Sequence, residues 1–181
     1  MNDGFALFET AIGPCGIAWR ASGIIGLALP DSDRAKAMAG LRRRHPDLDQ
    51  AEPPPAVARA IAAITAHLAG SRDDLNWVTL DLGGVDGFEA AVYRAARAIP
   101  PGETRTYGQL AAELGDPGKA RAVGQALGRN PWPIVVPCHR ITGADGRTGG
   151  FSAPGGAATK LKLLEIEGAL AAGTLPLFAA T

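Results

Sequence analysis

The chain of 181 residues balances 18 Lys and Arg against 18 Asp and Glu, and 46% of it is hydrophobic. That length suits one large domain or two small ones with a working core, and its two cysteines exclude a scaffold held by several disulfides. No stretch offers the eighteen or so apolar residues of a membrane span. The start, MNDGFALFET, also lacks a basic region followed by an apolar run, so a cytoplasmic chain with Cys15 and Cys138 reduced is expected.

Charge is uneven along the chain. Residues 1–87 hold 8 basic and 11 acidic side chains, whereas residues 88–181 hold 10 and 7. A polyanionic partner is therefore expected at the second half, although a difference this small carries weight only beside other signals.

The runs GFALFETAIG, CGIAWR and SGIIGLALP are predicted to form short antiparallel strands separated by Gly and Pro turns. Asp31 or Ser32 is expected to cap a helix that stops before His45-Pro46, with Arg42–Arg44 as cations at its C-terminus. AEPPPAVARAIAAITAHLAG predicts a second helix, entered through prolines, with Val57, Ile61, Ile64 and Leu68 on one face and His67 on its flank. WVTLDLG predicts a further strand. A division is expected near Gly83–Asp86, giving an α/β domain over 1–85, a second domain over 86–170 and a tail over 171–181.

In the second domain, Phe88, Val92 and Ile99 form a stripe that Pro100 ends. Thr106 and Gln109 have capping-box spacing, which predicts a helix from Tyr107 to about Leu114, closed by Gly115. Asp116 with Pro117 opens the next helix, which runs to about Gly128 before Asn130-Pro131 stops it. Two short helices across a glycine turn make a helix-turn-helix candidate. The second of them carries Lys119, Arg121 and Arg129, and Ala120, Ala122, Gly124 and Ala126 keep it thin. Only Arg121 and Gln125 are long polar side chains suited to base edges, so contact with phosphates by shape is expected rather than sequence readout.

The stretch NPWPIVVPCHRITG raises the chemical question. A cysteine is nucleophilic only as thiolate, and His139 and Arg140 offer a base or a positive charge beside Cys138. On a strand, neighbouring side chains point to opposite faces, so a water would relay the proton. A core cysteine beside a surface histidine is the plainer alternative. One cysteine and one usable histidine fall short of a zinc ligand set.

PCHRI, preceded by IPPGETRTYGQLA and RAVGQALGRNPWPIVV and followed by GGFSAPGGAATKLKLLEIEG, resembles the O6-alkylguanine-DNA alkyltransferases, or methylated-DNA–protein-cysteine methyltransferases. The resemblance is specific from Phe88 to Gly168 and general before that. It implies a ribonuclease-H-like first domain and a mainly helical, winged-helix-like second domain. It also implies stoichiometric, irreversible transfer of an alkyl group from O6 of guanine in double-stranded DNA, with the protein a monomer that needs no cofactor and no metal.

By the same resemblance, Cys138 accepts the alkyl group, His139 is the base oriented by Glu167, and Tyr107 gives a proton to the purine, while Glu165 is a solvated neighbour. Arg121 replaces the extruded base in the stack, with Ala120, Gln125 and Lys119 beside it against the minor groove. Asn130 ties the helix to the cysteine loop. Ser152, Phe151, Gly150, Ile141 and Pro133 form the pocket. Phe151 stands where many members have tyrosine, and Ala153-Pro154 lengthens the loop, which bears on the O6 substituent that fits.

Two other classes remain in view. A lesion sensor would flip the base without accepting the group, and such proteins have another residue in place of the cysteine. A cysteine hydrolase would form an acyl-enzyme, for which the flanking residues give no sign.

Overall fold

A computed structural model describes residues 2–30, 33–144 and 151–170. The chain divides into two compact units, one of residues Met1–Val85 with Pro131–Val135, the other of Asp86–Asn130 with Val136–Thr181.

The first unit is built on a three-stranded antiparallel sheet in the order β1 (Gly4–Thr10), β2 (Gly13–Arg20), β3 (Gly23–Ala28). Tight turns join the strands, Thr10 pairing with Gly13 and Arg20 with Gly23. Residues Cys15–Trp19 are buried without a break in the middle strand, as expected where both faces of a strand are covered. Helix α1 (Arg34–Arg44) is capped by Asp33, whose carboxylate accepts from Lys36 N at 2.8 Å. The expected caps, Asp31 and Ser32, lie outside the described residues. Leu41 of α1 sits so close over Gly16 that a β-carbon there would come within 2.4 Å of it, so Gly16 lets the helix approach the sheet. Leu41 packs with Phe5, Ala18 and Leu48, and a buried leucine of this kind contributes about 2–5 kcal/mol.

Helix α2 (Pro55–Ala66) begins on prolines and buries Val57, Ala60 and Ile64, with Leu68 beyond its end. Ile61 is only partly buried, so the face is rotated from the predicted one. His67, expected on the flank of this helix, is 1% exposed and opens the wide turn His67–Ser71 that follows it. WVTLDLG does not form a full strand. It contributes one bridge, Leu80 with Ile24, because after Asp81 the chain leaves through glycines.

Pro131–Val135 was expected in the second domain, yet it groups with the first unit. Leu27 N donates to Pro131 O at 2.8 Å, and the buried Trp132 donates its Nε1–H to Ile24 O at 2.8 Å. These bonds satisfy backbone groups at the edge of β3, and burial of Trp132 adds apolar stabilisation. Ile134 takes a φ of 78°, a costly conformation for a β-branched residue that its packing maintains.

The second unit is helical. Asp86 caps α3 (Gly87–Arg97), which buries Val92, Tyr93 and Ala96; Phe88, expected in this stripe, is only partly buried. Thr106 and Gln109 form the capping box of α4 (Tyr107–Glu113), Gln109 N donating to Thr106 Oγ1 at 3.1 Å and Thr106 N to Gln109 Oε1 at 2.7 Å. The single helix predicted after Asp116 is instead a 3₁₀ turn, Pro117–Lys119, leading into α5 (Ala120–Gly128). Asp116 still caps this turn, its carboxylate accepting from Gly118 N at 3.0 Å. Tyr93 joins α3 to α5 by donating its hydroxyl to Ala126 O at 3.0 Å.

Two pairings place the rest. A parallel pair of short strands, β4 (Arg105–Thr106) and β5 (Ile141–Thr142), sets the start of α4 beside the chain that follows Cys138-His139-Arg140. Helix α6 (Gly156–Glu167) ends at Gly168, whose φ of 76° closes the helix directly after Glu167. No helix among the described residues is long and apolar enough to cross a membrane.

Candidate active site

Cys138, His139 and Arg140 form a 3₁₀ turn, in which Arg140 N donates to Pro137 O. The tight turn separates three consecutive side chains. Cys138 stays partly exposed, while His139 and Arg140 are buried at 0% and 1% exposure. Polar groups so deep must be paired. His139 Nε2 lies 2.8 Å from Glu167 Oε1, and Arg140 grips the same carboxylate through Nε to Oε2 at 2.9 Å and Nη2 to Oε1 at 2.8 Å. Arg140 Nη1 also donates to Ile99 O, beyond the end of α3. The turn and α6 are thus tied through one carboxylate, and Arg140 extends the tie to the end of α3.

This arrangement has a chemical consequence. A carboxylate can only accept, so in the neutral imidazole Nε2 carries the hydrogen and Nδ1 holds the lone pair. Glu167 therefore favours the His139 tautomer in which Nδ1 can accept a proton, and a carboxylate at this place offsets the charge of an imidazolium.

Cys138 borders a cavity of about 20 Å³ with Tyr107, Gly124, Leu127, Gly128, Phe151 and Ser152. The same Tyr107, Gly124, Gly128, Phe151 and Ser152 wall a larger groove of about 710 Å³, together with Ala120, Arg121 and Gln125. Burial pushes the Cys138 thiol above its ordinary range. A hydrogen bond from the Asn130 side chain, the charge of Lys160 and the backbone at Cys138 and His139 oppose that rise. The thiol thus needs a base to ionise. Tyr107 is also raised, by burial first and then by the neighbouring Cys138, so it holds its proton at neutral pH. Cys15 is pushed up to about 11 by burial and is an inert core thiol. Both cysteines are free.

Asn130 Nδ2 donates to Val136 O at 2.8 Å, linking the end of α5 to the cysteine segment. Ser152 donates to Gly128 O at 3.1 Å. Arg121 is exposed and has no ion pair among the described residues. Its basic neighbours are engaged: Lys119 lies 3.5 Å from Asp116 and over the Phe88 ring, and Arg129 pairs with Glu89. Glu165 meets Lys162 at 3.3 Å on the outer face of α6.

The structure does not bring every expected residue to the cavity. Ile141 is fully buried and its carbonyl accepts from Lys160 Nζ, and Pro133 belongs to the segment grouped with the first unit. Gly150 lies outside the described residues. The sequence reading missed two residues. Arg140 was noted only as a charge near sulfur, whereas it is the partner of Glu167, and Lys160 drew no notice although it is 0% exposed. A lysine at the seventh position before a buried glutamate on one helix was the available signal. No group of three His, Cys, Asp or Glu among the described residues is placed to hold a metal ion.

A family model for the DNA binding domain of 6-O-methylguanine DNA methyltransferase matches residues 87–169. A methylated-DNA–protein-cysteine methyltransferase of Mycobacterium tuberculosis is 46% identical over 125 residues, which cover 69% of this chain and 73% of that protein. The chain belongs to the methylated-DNA–protein-cysteine methyltransferase family. Among solved methyltransferases of this family, the O6-methylguanine methyltransferase of M. tuberculosis has a TM-score of 0.71 at 35% identity, covering 98% of this chain and 99% of that one. The M. tuberculosis OGT in complex with DNA gives 0.70 at 36%, covering 91% and 92%. The family match spans Tyr107, Arg121, Cys138, His139 and Glu167.

Proposed function

We propose that the protein repairs DNA by direct reversal, with Cys138 taking the alkyl group from O6 of a guanine turned out of the duplex. The observation that carries this reading is the partly exposed Cys138 on a cavity wall shared with Tyr107, one residue from a histidine held by a buried carboxylate.

His139, through a water, takes the thiol proton at Nδ1. The sulfur attacks the alkyl carbon, an S–C bond forms and the C–O6 bond breaks, with its electron pair passing to the purine. Tyr107 offers a proton to the ring, so the purine need not leave as an anion. The alkyl group has replaced the thiol hydrogen and guanine has gained one proton, so atoms and charge balance. A thioether has no easy route back, and each molecule acts once.

The groove walled by Ala120, Arg121 and Gln125 is the DNA side of this reading. Lys119 is tied to Asp116, so its phosphate contact is secondary, while Arg121 enters the stack. The small residues of α5 favour close approach to a minor groove without sequence preference. The first unit is taken as ribonuclease-H-like, the second as winged-helix-like, and the protein as a cytoplasmic monomer.

The deciding test is the intact mass and peptide map of the protein after incubation with a duplex carrying one O6-methylguanine. One added methyl group on Cys138, with unmodified guanine left in the DNA, is expected. An unchanged mass with tight lesion binding would make the protein a damage sensor instead.

The role of Arg121 has its own measurement. Arg121→Ala is expected to slow repair in duplex at least about tenfold while leaving reaction with free O6-benzylguanine near the parent rate. Unstacking a base costs a few kcal/mol, and losing about 1.4 kcal/mol of compensation is a factor of ten. Equal slowing on both substrates would assign Arg121 to packing.

A further inference from the structure

Helix α5 walls the groove and hands the chain on to Asn130. Neither Arg129 nor Asn130 takes a positive φ, so no left-handed residue closes this helix end. Its last turn is tightened instead, with Arg129 N donating to Ala126 O at 3.1 Å and Asn130 N to Leu127 O at 3.2 Å. Each carbonyl keeps a lone pair for a further donor.

Two side chains of α3 take hold of that end. Tyr93, 2% exposed, donates its hydroxyl to Ala126 O at 3.0 Å, and Glu89 accepts from Arg129 Nε at 2.6 Å. Glu89 and Tyr93 lie four residues apart and so share one helix face. The next residue after this grip is Asn130. Its side-chain amide donates to Val136 O at 2.8 Å and also to the Cys138 thiol. The donor to sulfur is thus held from two sides, by Val136 on the cysteine segment and by α3 through the end of α5.

We propose that Tyr93, with Glu89 beside it, is a positioning residue for alkyl transfer, fixing the end of α5 so that the Asn130 amide faces the sulfur of Cys138. The inference rests on the alkyl-acceptor reading of Cys138. A donated hydrogen bond stabilises a thiolate more than a thiol, so a displaced amide leaves the sulfur protonated to higher pH. The other groups facing the sulfur are Tyr107 on α4, Lys160 on α6 and His139 in the turn, whose partner Glu167 is shared with Arg140. Tyr93→Phe keeps all of them. Burial first raises Tyr93 itself to about 12, so its hydroxyl is neutral and its loss removes no charge.

The test is the pH profile of iodoacetamide alkylation between pH 6 and 10, read on the Cys138 peptide, in the parent, Tyr93→Phe, Asn130→Ala and the double variant. Tyr93→Phe removes one oxygen and keeps the ring. Its midpoint is expected to rise by about half a pH unit, with the rate at pH 7.5 falling roughly threefold. Single-turnover transfer from free O6-benzylguanine falls with it. Asn130→Ala raises the midpoint at least as far, and adding Tyr93→Phe then moves it no further, because two residues acting along one line do not add. A packing role would lower the melting temperature of Tyr93→Phe and leave its midpoint in place. That result, or a full second shift in the double variant, would overturn the proposal.

Should Asn130→Ala fail to fold, asparagine-labelled NMR of the parent and Tyr93→Phe decides. Of the side-chain amides of Asn2, Asn76 and Asn130, that of Asn130 is expected to move, and an unmoved Asn130 defeats the idea. A parent that gains no methyl group from lesion DNA defeats the alkyl-acceptor reading instead, while the iodoacetamide profile still reports on Tyr93.

Discussion

Cys138→Ala is expected to abolish methyl uptake from O6-methylguanine duplex while the protein still folds and still binds the lesion. The thiol receives a hydrogen bond from the Asn130 side chain, but other groups hold the turn: Asn130 also donates to Val136 O, the Cys138 backbone bonds to Val136, and the anchoring side chains are His139 and Arg140. A partly exposed sulfur replaced by hydrogen changes stability by less than about 1 kcal/mol, so the melting temperature stays close to the parent value. Intact mass reads the uptake and a gel-shift titration reads the binding. The variant remains on the lesion because nothing converts it. Methyl uptake at another residue would move the acceptor elsewhere, with Cys15 excluded in advance by its burial.

Glu167→Gln has two separable effects. The carboxylate serves His139 and both faces of Arg140 within a dry cluster, and an amide can accept from one side only, turning an N–H toward a donor on the other. Arg140 is left charged and uncompensated, which costs about 3–5 kcal/mol. His139 loses the group that sets its tautomer and balances its proton, and single-turnover transfer falls about a hundredfold or more. Pairing Glu167→Leu with Arg140→Met removes both charges together. The double variant recovers most of the melting temperature, because a buried pair is often replaceable by apolar groups, but not the rate. Recovery of both would remove Glu167 from the chemistry. A single variant as stable as the parent would show that the cluster is not held as a buried ion pair.

Much of the second unit was legible because its signals act over three or four residues. A threonine oxygen and a glutamine amide at capping-box spacing close the same helix end wherever they occur, which is why α4 starts at Tyr107. Pro100 and Asn130-Pro131 end helices for equally local reasons. The juxtaposition of Cys138, His139 and Arg140 is plain in one line of sequence. Errors arose where a local signal met a tertiary choice. WVTLDLG has the composition of a strand but makes one bridge, and His67 has the spacing of a flank but is buried. The basic count on α5 overstated the charge open to a polyanion, since Arg129 meets Glu89 across forty residues.

By itself, then, the sequence determined the local frame of this protein: where helices begin and stop, which half carries the thiol, and a motif dense enough to name the family it resembles. Only the tertiary structure decided how that thiol is served. Glu167 lies 28 residues beyond His139, and no spacing rule brings them within 2.8 Å. The β4 and β5 pairing and the glycine end of α6 do so. Tertiary packing likewise set Arg140 on the carboxylate and buried Lys160 with none beside it among the described residues. The physical reason is range. Caps and turns are fixed by backbone groups a few bonds away, whereas the pairing of buried charges depends on which distant surfaces exclude water together.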